Sequence, residues 1–198
     1  MDSIDFFDRL SDEWDDIFSR GDINVLESGL DLVNWHSFTR VLEVGCATGI
    51  ETGYILKRLR SDAQLSAIDV SAKMVGRAIE RIQDAMFAVN IKNFFDVEGI
   101  FDLILMINVL PHLGNLYDVF TKSSKLLDKK GEILILHNSS KEHINSVHSR
   151  KEEVRDHVLL PVEVAQEAAI SRGFFILHTK DDEEGYILHL QKFTEEIF

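Results

Sequence analysis

The sequence predicts an α/β protein built on a doubly wound, mostly parallel sheet. From residue 39 onward, apolar segments of strand length alternate with segments of helical periodicity, which is the pattern of a parallel sheet with helices on both faces. The apolar stretch 41–44 runs directly into a glycine-containing turn, as the first strand of such a sheet commonly does. Two strand-like stretches near the C-terminus flank the polar residues 180–185, which predicts a closing antiparallel β-hairpin.

The individual elements follow from apolar spacing. Apolar residues recur at helical spacing from Phe6 to Phe18, Gly21 is expected to end this helix, and Asp22 is expected to cap a second one. Strands are predicted at 40–44, 64–69, 86–89, 101–107 and 132–137, and helices at 51–59, 72–84, 117–127 and 161–171. The hairpin is predicted to pair 174–179 with 186–193.

Composition and charge exclude several classes of protein. A chain of 198 residues fits one domain with a substantial core, and its formal charge of −13 disfavours non-specific nucleic-acid binding, which needs Lys and Arg against phosphates. No apolar run approaches the roughly 20 residues of a membrane span, and the acidic start does not resemble a signal peptide. The single cysteine, Cys46, fits a reducing compartment. We therefore expect a cytoplasmic protein that binds neither nucleic acid nor membrane.

The end of the first strand carries the most informative motif. Glu43 precedes Gly45 by two residues, and Gly45 and Gly49 bracket a turn that leads into a helix. Such a junction lets backbone N–H groups approach a ligand closely. The second strand ends at Asp69, whose carboxylate could accept both hydroxyls of a ribose. The alternative is that Asp69 only caps the following helix.

These motifs resemble those of a known family. The pattern E-x-G-x-A-x-G at 43–49 resembles the first motif of the class I S-adenosylmethionine-dependent methyltransferases, and D-V-S-A-K-M at 69–74 resembles their D-x-S-x-x-M. The stretch 101–113 is similar to their F-D-x-x-x-x-x-x-V-L-H-H-L, with Pro111 in place of the first His. The matches span about residues 40–193. The resemblance implies a Rossmann-like fold, S-adenosylmethionine as the cofactor and S-adenosylhomocysteine as its product.

The resemblance also implies which residues bind the cofactor. The turn at 45–49 would wrap its amino-acid half, Glu43 would hold the ammonium group directly or through the loop, and Asp69 would bind the ribose. Beyond the third strand, Asn90 would meet the adenine, with Asp96 as the alternative. The complete expected set is Glu43, Gly45, Cys46, Ala47, Gly49, Asp69, Val70, Met74, Asn90, Ile91, Asn108 and Trp14.

The N-terminal helical segment resembles the lid of many small-molecule members of the family. Residues 1–38 are expected to form this lid, and residues 39–198 the S-adenosylmethionine-binding, Rossmann-like methyltransferase domain. Trp14 is expected to face the methyl donor, with core packing as the alternative. The acidic face of the segment is interpreted as a solvated surface, with attraction of cationic substrates as a weaker alternative.

The end of the fifth strand is the candidate acceptor side. His137 is followed by polar residues, and a neutral imidazole there could take a proton from the methyl acceptor; the alternative is a solvated loop leading into a helix. Among the nearby histidines, His137 is predicted to matter more than His143, His148 and His157, whereas His112 is expected to be structural. The histidine spacing matches no zinc motif, so no metal is expected.

The sequence as a whole predicts an S-adenosylmethionine-dependent methyltransferase that acts on a small-molecule acceptor. One alternative is a protein that binds S-adenosylmethionine or S-adenosylhomocysteine without turnover. Another is a nicotinamide-dependent oxidoreductase, which the missing G-x-G-x-x-G motif and the terminal hairpin disfavour.

Overall fold

A computed structural model describes residues 3–17 and 20–193 of the chain. Its α-helices are α1 Ser3–Leu10, α2 Trp14–Ile17, α3 Arg20–Leu30, α4 Ile50–Leu56, α5 Ala72–Arg81, α6 Leu116–Leu126, α7 Lys141–His148 and α8 Val162–Ile170. Its strands are β1 Arg40–Val44, β2 Gln64–Asp69, β3 Phe87–Ile91, β4 Phe101–Ile107, β5 Leu127–His137, β6 Phe174–Asp181 and β7 Tyr186–Lys192. Short 3-10 helices lie at Trp35–Ser37, Phe94–Asp96 and Leu110–Leu113.

The described strands form one seven-stranded sheet in the order β3-β2-β1-β4-β5-β7-β6. The first five strands are parallel, and β7 pairs antiparallel with both β5 and β6. The predicted doubly wound sheet with a C-terminal antiparallel hairpin is therefore confirmed. The strand order reverses between β1 and β4, and ligands of such sheets bind at the carboxyl ends of the strands beside this point.

Both faces of the central strands are buried, as expected for a parallel sheet covered by helices. Along β1 and β4, alternate residues belong to two different core clusters. Leu42 and Ile104 pack with residues of α6 and α8 on one face, whereas Val41 and Leu103 pack with residues of α3 on the other. The sheet is therefore rigid along its length, and the strand ends that carry the candidate site are firmly positioned.

The N-terminal segment differs from the prediction. The chain turns at residues 11–13, and α3 already begins at Arg20, so Gly21 does not end a helix and Asp22 does not cap one. Helical spacing continued across this turn in the sequence and gave no sign of it. Phe18, the last apolar residue of the predicted first helix, lies outside the described residues.

Helix α3 belongs to the core of the sheet rather than to a lid. Leu26 and Leu30 are fully buried and pack with Leu134 and Leu136 of β5. Gly29 lets this helix approach closely, since a Cβ on it would lie 1.9 Å from Cδ1 of Leu136. The expectation that the whole of residues 1–38 lies outside the core therefore does not hold for α3.

Candidate active site

The turn after β1 is tight and is tied to β2. Gly45 has a φ of 75°, and its N–H and that of Cys46 donate to the carbonyl oxygen of Ile68 at 2.8 and 3.1 Å. A Cβ on Gly45 would come within 2.6 Å of Cγ2 of Val109, which follows β4. Both the backbone angle and this approach require glycine. Replacing Gly45 would therefore strain the junction itself, whatever it did to a ligand.

Asp69 lies at the end of β2 and faces the same turn. Its Oδ2 accepts from the backbone N–H of Ala47 at 3.0 Å, and its Oδ1 accepts from that of Ser71 at 2.9 Å. Burial raises the pKa of Asp69, against these hydrogen bonds, which lower it. The cap of α5 is Ser71, whose side chain accepts from the N–H of Met74, so Asp69 is not the helix cap. A carboxylate has about four acceptor positions, which leaves capacity for a ligand.

A first cavity of about 180 Å³ opens over this turn. The predicted site residues that line it are Gly45, Ala47, Asp69, Val70, Met74, Asn108 and Trp14. Apolar walls come from Val70, Met74 and Phe94, and the polar side chains include Asp69 and Asn108. This combination of flat apolar surface and a carboxylate suits a nucleoside, whose base is apolar on both faces and whose ribose carries two hydroxyl donors.

A second, larger cavity of about 550 Å³ adjoins the first. It lies between α1 and α2 on one side and the end of β5 with α7 on the other. Four side chains line both cavities and thus form a wall that the cavities share: Phe7, Trp14, Asn108 and His112. A molecule in the first cavity and a molecule in the second would therefore meet at these four side chains.

Three residues predicted for the cofactor lie behind the turn and line neither cavity. Glu43 is 2% exposed, and its Oε2 accepts from the hydroxyl of Thr52 on α4 at 2.8 Å. The Cys46 thiol packs against Ala67 and Ala78, and burial raises its pKa. Gly49 ends the turn with a φ of 82° against α5. Because a tight turn exposes only some of its residues, the side chains of Glu43 and Cys46 face away from both cavities, and Gly49 shapes the loop.

The segment after β3 is shifted from its predicted position. Asn90 and Ile91 are still part of β3, where Asn90 pairs with Ile68 and Ile91 is 58% exposed to solvent. The cavity is instead lined by the next four residues, Lys92, Asn93, Phe94 and Phe95, whereas Asp96 does not line it. Asn90 and Ile91 therefore do not line the cavity, because the strand runs two residues beyond its predicted end.

Asn108 joins the ends of β4 and β5 beside α4. It adopts a φ of 54°, its Oδ1 accepts from the N–H of Asn138 at 3.0 Å, and its Nδ2 donates to Oε1 of Glu51 at 3.3 Å. Glu51, in the first turn of α4, also lines the second cavity. Sequence reasoning missed Glu51, although an acid one residue into the helix after the glycine turn was a usable signal.

His137 ends β5, as predicted, and lines the second cavity. It is 2% exposed, its ring packs edge-on against Tyr186, and its Nε2 has no hydrogen-bond partner in the described part of the chain. Burial lowers the pKa of His137 to about 3. The imidazole therefore stays neutral and retains a nitrogen for a ligand, and its role as proton acceptor stays a prediction.

Helices α1 and α2 cover both cavities. Phe7 and Trp14 pack edge-on against each other, and Phe7 also packs against His112 at a centroid distance of 5.1 Å. Asp8 accepts from the hydroxyl of Ser71, and Asp15 accepts from that of Thr48 at 2.6 Å. The acidic face was expected to be solvated, but these acids face the loops around the first cavity.

Two other features of the described residues limit the kind of site. Among residues 3–17 and 20–193, no three His, Cys, Asp or Glu side chains are grouped so that they could hold a metal ion. None of the helices in the part of the chain that the structure describes is long and apolar enough to span a membrane.

Comparison with known proteins identifies the family. A family model described as a methyltransferase domain matches residues 36–192, so the chain belongs to this family. The methyltransferase in complex with the Haloferax volcanii Trm112 activator has a similar fold, with a TM-score of 0.78, 14% identity and coverage of 94% of this chain and 96% of that one. The N-methyltransferase NodS from Bradyrhizobium japonicum WM9, in complex with S-adenosyl-L-homocysteine, gives a TM-score of 0.73, 17% identity and 96% coverage of both chains.

Curated relatives match shorter parts of the chain. The uncharacterized protein syc1184_c of Synechococcus is 40% identical over 81 residues, which is 37% of this chain. Fusarielin synthase FSL1 of Gibberella zeae is 31% identical over 129 residues, and the highly reducing polyketide synthase AFT9-1 of Alternaria alternata is 32% identical over 120 residues. The matches span only 19%, 5% and 4% of the lengths of these three proteins.

The chain belongs to the S-adenosylmethionine-dependent methyltransferases and has the Rossmann-like fold of class I. The predictions of family, enzyme class and cofactor are thus confirmed, and the oxidoreductase alternative is set aside.

Proposed function

We propose that this methyltransferase acts on an uncharged small-molecule acceptor, which binds in the second cavity while the cofactor occupies the first. The observation that carries this proposal is the shared wall of Phe7, Trp14, Asn108 and His112, because methyl transfer requires donor and acceptor to meet in line. Charged side chains lining the second cavity are one acid, Glu51, and one base, Lys151, so it favours neither sign of charge. Two matched relatives are named as synthases of fusarielin and polyketide, which agrees with a small organic acceptor.

The residues around the first cavity fit the cofactor. Asp69 is proposed to accept the ribose hydroxyls, and Met74, Phe94 and Asn93 to bind the adenine. Because Glu43 lies behind the turn, it acts through Thr52 and the loop. Glu51 lines only the second cavity, and it reaches the cofactor side through its hydrogen bond with Asn108. When bound, the cofactor supplies an electrophilic methyl group, and the residues described here orient the two molecules and exclude water.

The cover and the acceptor side have separate roles in this proposal. Helices α1 and α2 form the lid, with Trp14 facing the junction of the cavities, while α3 belongs with the methyltransferase domain. The unpartnered Nε2 of His137 hydrogen-bonds the polar group of the acceptor, since an unpaired buried nitrogen is costly until a ligand meets it. The cytoplasmic location expected from the single cysteine stays a prediction.

Calorimetry with S-adenosylhomocysteine tests the cofactor site. Asp69→Asn should bind the ligand more than tenfold less tightly, because a hydrogen bond to a charged acceptor contributes about 1.5–3 kcal/mol and two are weakened. Asp96→Asn is the matched control, since Asp96 is an exposed acid at the same sheet edge that does not line the cavity, and its affinity should equal that of the wild type. Failure of the wild-type protein to bind S-adenosylhomocysteine, or equal affinity in Asp69→Asn, would overturn the assignment.

A further inference from the structure

A pair of histidines lies at the wall that the two cavities share. Nδ1 of His112 lies 2.7 Å from Nδ1 of His157. At this distance one nitrogen must donate and the other must accept, so two neutral rings hold a single proton between the facing atoms. His112 lines both cavities, whereas His157 lines neither. The pair thus connects the junction of the cavities with a ring further out.

A third histidine is hydrogen-bonded to the backbone of His157. Nδ1 of His148 lies 2.5 Å from the backbone carbonyl oxygen of His157, so this nitrogen carries a proton and donates it. The rings of His148 and His157 each lie 5.0 Å from that of His112, between centroids, and Phe7 closes the other side of His112. The three rings therefore have defined orientations, and two of their tautomers are restricted by hydrogen bonding.

His112 cannot hold a positive charge, yet it can pass a proton on. Burial, with smaller contributions from the neighbouring His148, His157 and His137, lowers its pKa to about 3. A neutral imidazole can accept a proton at Nε2 while it releases the one at Nδ1, and it then carries no net charge at the end of the transfer. Burial also lowers the pKa of His157, and His148 lowers it further, but Asp156 raises it.

Apart from the histidines, the second cavity is lined largely by apolar side chains. Its apolar side chains are those of Phe6, Phe7, Leu10, Ile144, Val147 and Val154. The titratable or charged side chains that face the histidine pair or line the same cavity are His137, His148, Asp156, Glu51, His143 and Lys151. The cavity thus fits an apolar molecule that presents one polar group.

Building on the proposed function, we infer that His112 and His157 form a proton relay, and that the acceptor is an uncharged, mainly apolar molecule with a weakly acidic hydroxyl. The hydroxyl oxygen forms a bond to the methyl carbon while the carbon–sulfur bond breaks and leaves its electron pair on sulfur. The hydroxyl proton moves to Nε2 of His112, the Nδ1 proton of His112 moves to Nδ1 of His157, and His157 releases a proton to solvent. His112 is the catalytic residue of the relay, and His157 acts through it.

Nitrogen NMR of the ligand-free protein, labelled at its histidines, tests the pair without any turnover. We expect one Nδ1 proton hydrogen-bonded between the two rings. On acidification the pair should take up protons in coupled steps, and the hydrogen bond should break as it does so. Replacing His157 with Gln should shift the resonances of His112, whereas His178→Gln, which removes an exposed histidine of β6, should not. Independent titration of the two rings would overturn the relay.

Turnover with 4-nitrophenol as the probe acceptor tests the chemistry. His157→Gln should lower the methylation rate at least about tenfold below the pKa of the phenol, with little change in KM, because His157 does not touch the acceptor. Above that pKa the rate should approach that of the wild type, since an ionised phenol needs no base. The His112→Asn and double variants should show equal losses, because the two rings act as one unit.

The outcomes separate the relay from the proposed function. A loss that is equal at all pH values would assign His157 a structural role, and an unchanged rate would remove it from the mechanism. If the protein binds S-adenosylhomocysteine but does not methylate 4-nitrophenol, the inferred acceptor class is overturned and the cofactor site stands. If S-adenosylhomocysteine itself does not bind, the proposed function fails first.

Discussion

Glu43 lies beneath the glycine turn with its carboxyl group sealed from solvent. It accepts a hydrogen bond from Thr52, but burial dominates and raises the pKa of Glu43 to about 8, with smaller contributions from Glu51 and Asp69. The folded protein therefore keeps a proton on this carboxyl group at neutral pH. In the unfolded chain the same group ionises near its ordinary pKa of 4.5. The acid of the first motif thus supports the turn as a neutral, hydrogen-bonding group.

Glu43→Gln should change how stability depends on pH. Between pH 4.5 and about 8 the folded protein retains a proton that the unfolded chain has released, so this group makes stability fall with rising pH by up to about 1.4 kcal/mol per unit. Glutamine has the shape of glutamate and cannot ionise, so the variant should lack this contribution. Its free energy of unfolding should therefore increase relative to that of the wild type as pH rises. Urea unfolding at several pH values measures the difference.

The control for this experiment is an exposed acid. Glu80→Gln, on the solvent side of α5, should follow the wild-type pH dependence. If Glu43→Gln also follows it, Glu43 is ionised in the folded protein and the turn carries a buried negative charge.

At the scale of elements, the lid is held to α5 by a row of acids. Asp8 contacts Ser71, Asp12 pairs with Arg77, and Asp15 pairs with Arg81. The acids meet their partners in the same order along the chain, so the first two helices pack against α5. These arginine pairs are partly exposed, and such pairs contribute about 0–1 kcal/mol each. The lid is therefore weakly held and its attachment is sensitive to salt.

Removing both arginines should loosen the lid. Arg77→Gln with Arg81→Gln is expected to weaken S-adenosylhomocysteine binding a fewfold at low salt, mainly through faster dissociation. Raising the ionic strength from about 0.05 to about 0.5 M should weaken wild-type binding and leave the double variant nearly unchanged, because salt screens these pairs. Calorimetry at both salt concentrations measures this.

Arg172→Gln is the matched control for the lid. Arg172 contacts Tyr117 and Thr121, away from the lid, and its loss should preserve the wild-type salt response. If the variant that lacks both Arg77 and Arg81 keeps the wild-type salt response, then apolar packing of Phe7 and Trp14 holds the lid without help from the ion pairs.

The elements show what local sequence could and could not predict. The bounds of β1, β2 and β4 agree with the prediction, because buried strands read as short apolar runs between polar or glycine residues. Asp69, at the end of β2, and Met74, in the first turn of α5, line the first cavity; the strand pattern indicated the first residue and the family motif the second.

Features that depend on distant parts of the chain were missed. The His112–His157 pair joins residues 45 positions apart, and the lid acids meet partners more than 60 positions away. Periodicity reports which face of an element is apolar, but it does not report which element packs opposite. The end of β3 was missed because an edge strand lacks the apolar run of a buried one: Ala88, Asn90 and Ile91 are all exposed.

At the scale of the whole molecule, different buried titratable groups change the stability of the fold in different parts of the pH range. His112 and His137 are neutral in the fold with pKa values of about 3, whereas in the unfolded chain they protonate near 6.5. Because the pKa of each histidine is lower in the folded protein, its contribution to stability is complete above pH 6.5 and is lost as pH falls towards 3. Glu43 acts in the opposite sense, because its penalty grows from pH 4.5 to about 8.

These opposing terms predict a stability maximum near pH 6.5. Below pH 6.5 the unfolded chain binds two more protons at His112 and His137 than the folded protein does, whereas the folded protein binds one more at Glu43, so stability falls as pH falls. Above pH 6.5, of these three groups only Glu43 differs between the two states, so stability falls as pH rises. Thermal or urea unfolding from pH 4.5 to 8 should show the maximum, and His137→Phe should reduce the loss on the acid side without altering the alkaline side. His178→Gln, which removes an exposed histidine, should leave both sides as they are. A stability that rises steadily through pH 8 would contradict the buried neutral state of Glu43, and an unchanged acid side in His137→Phe would contradict that of His137.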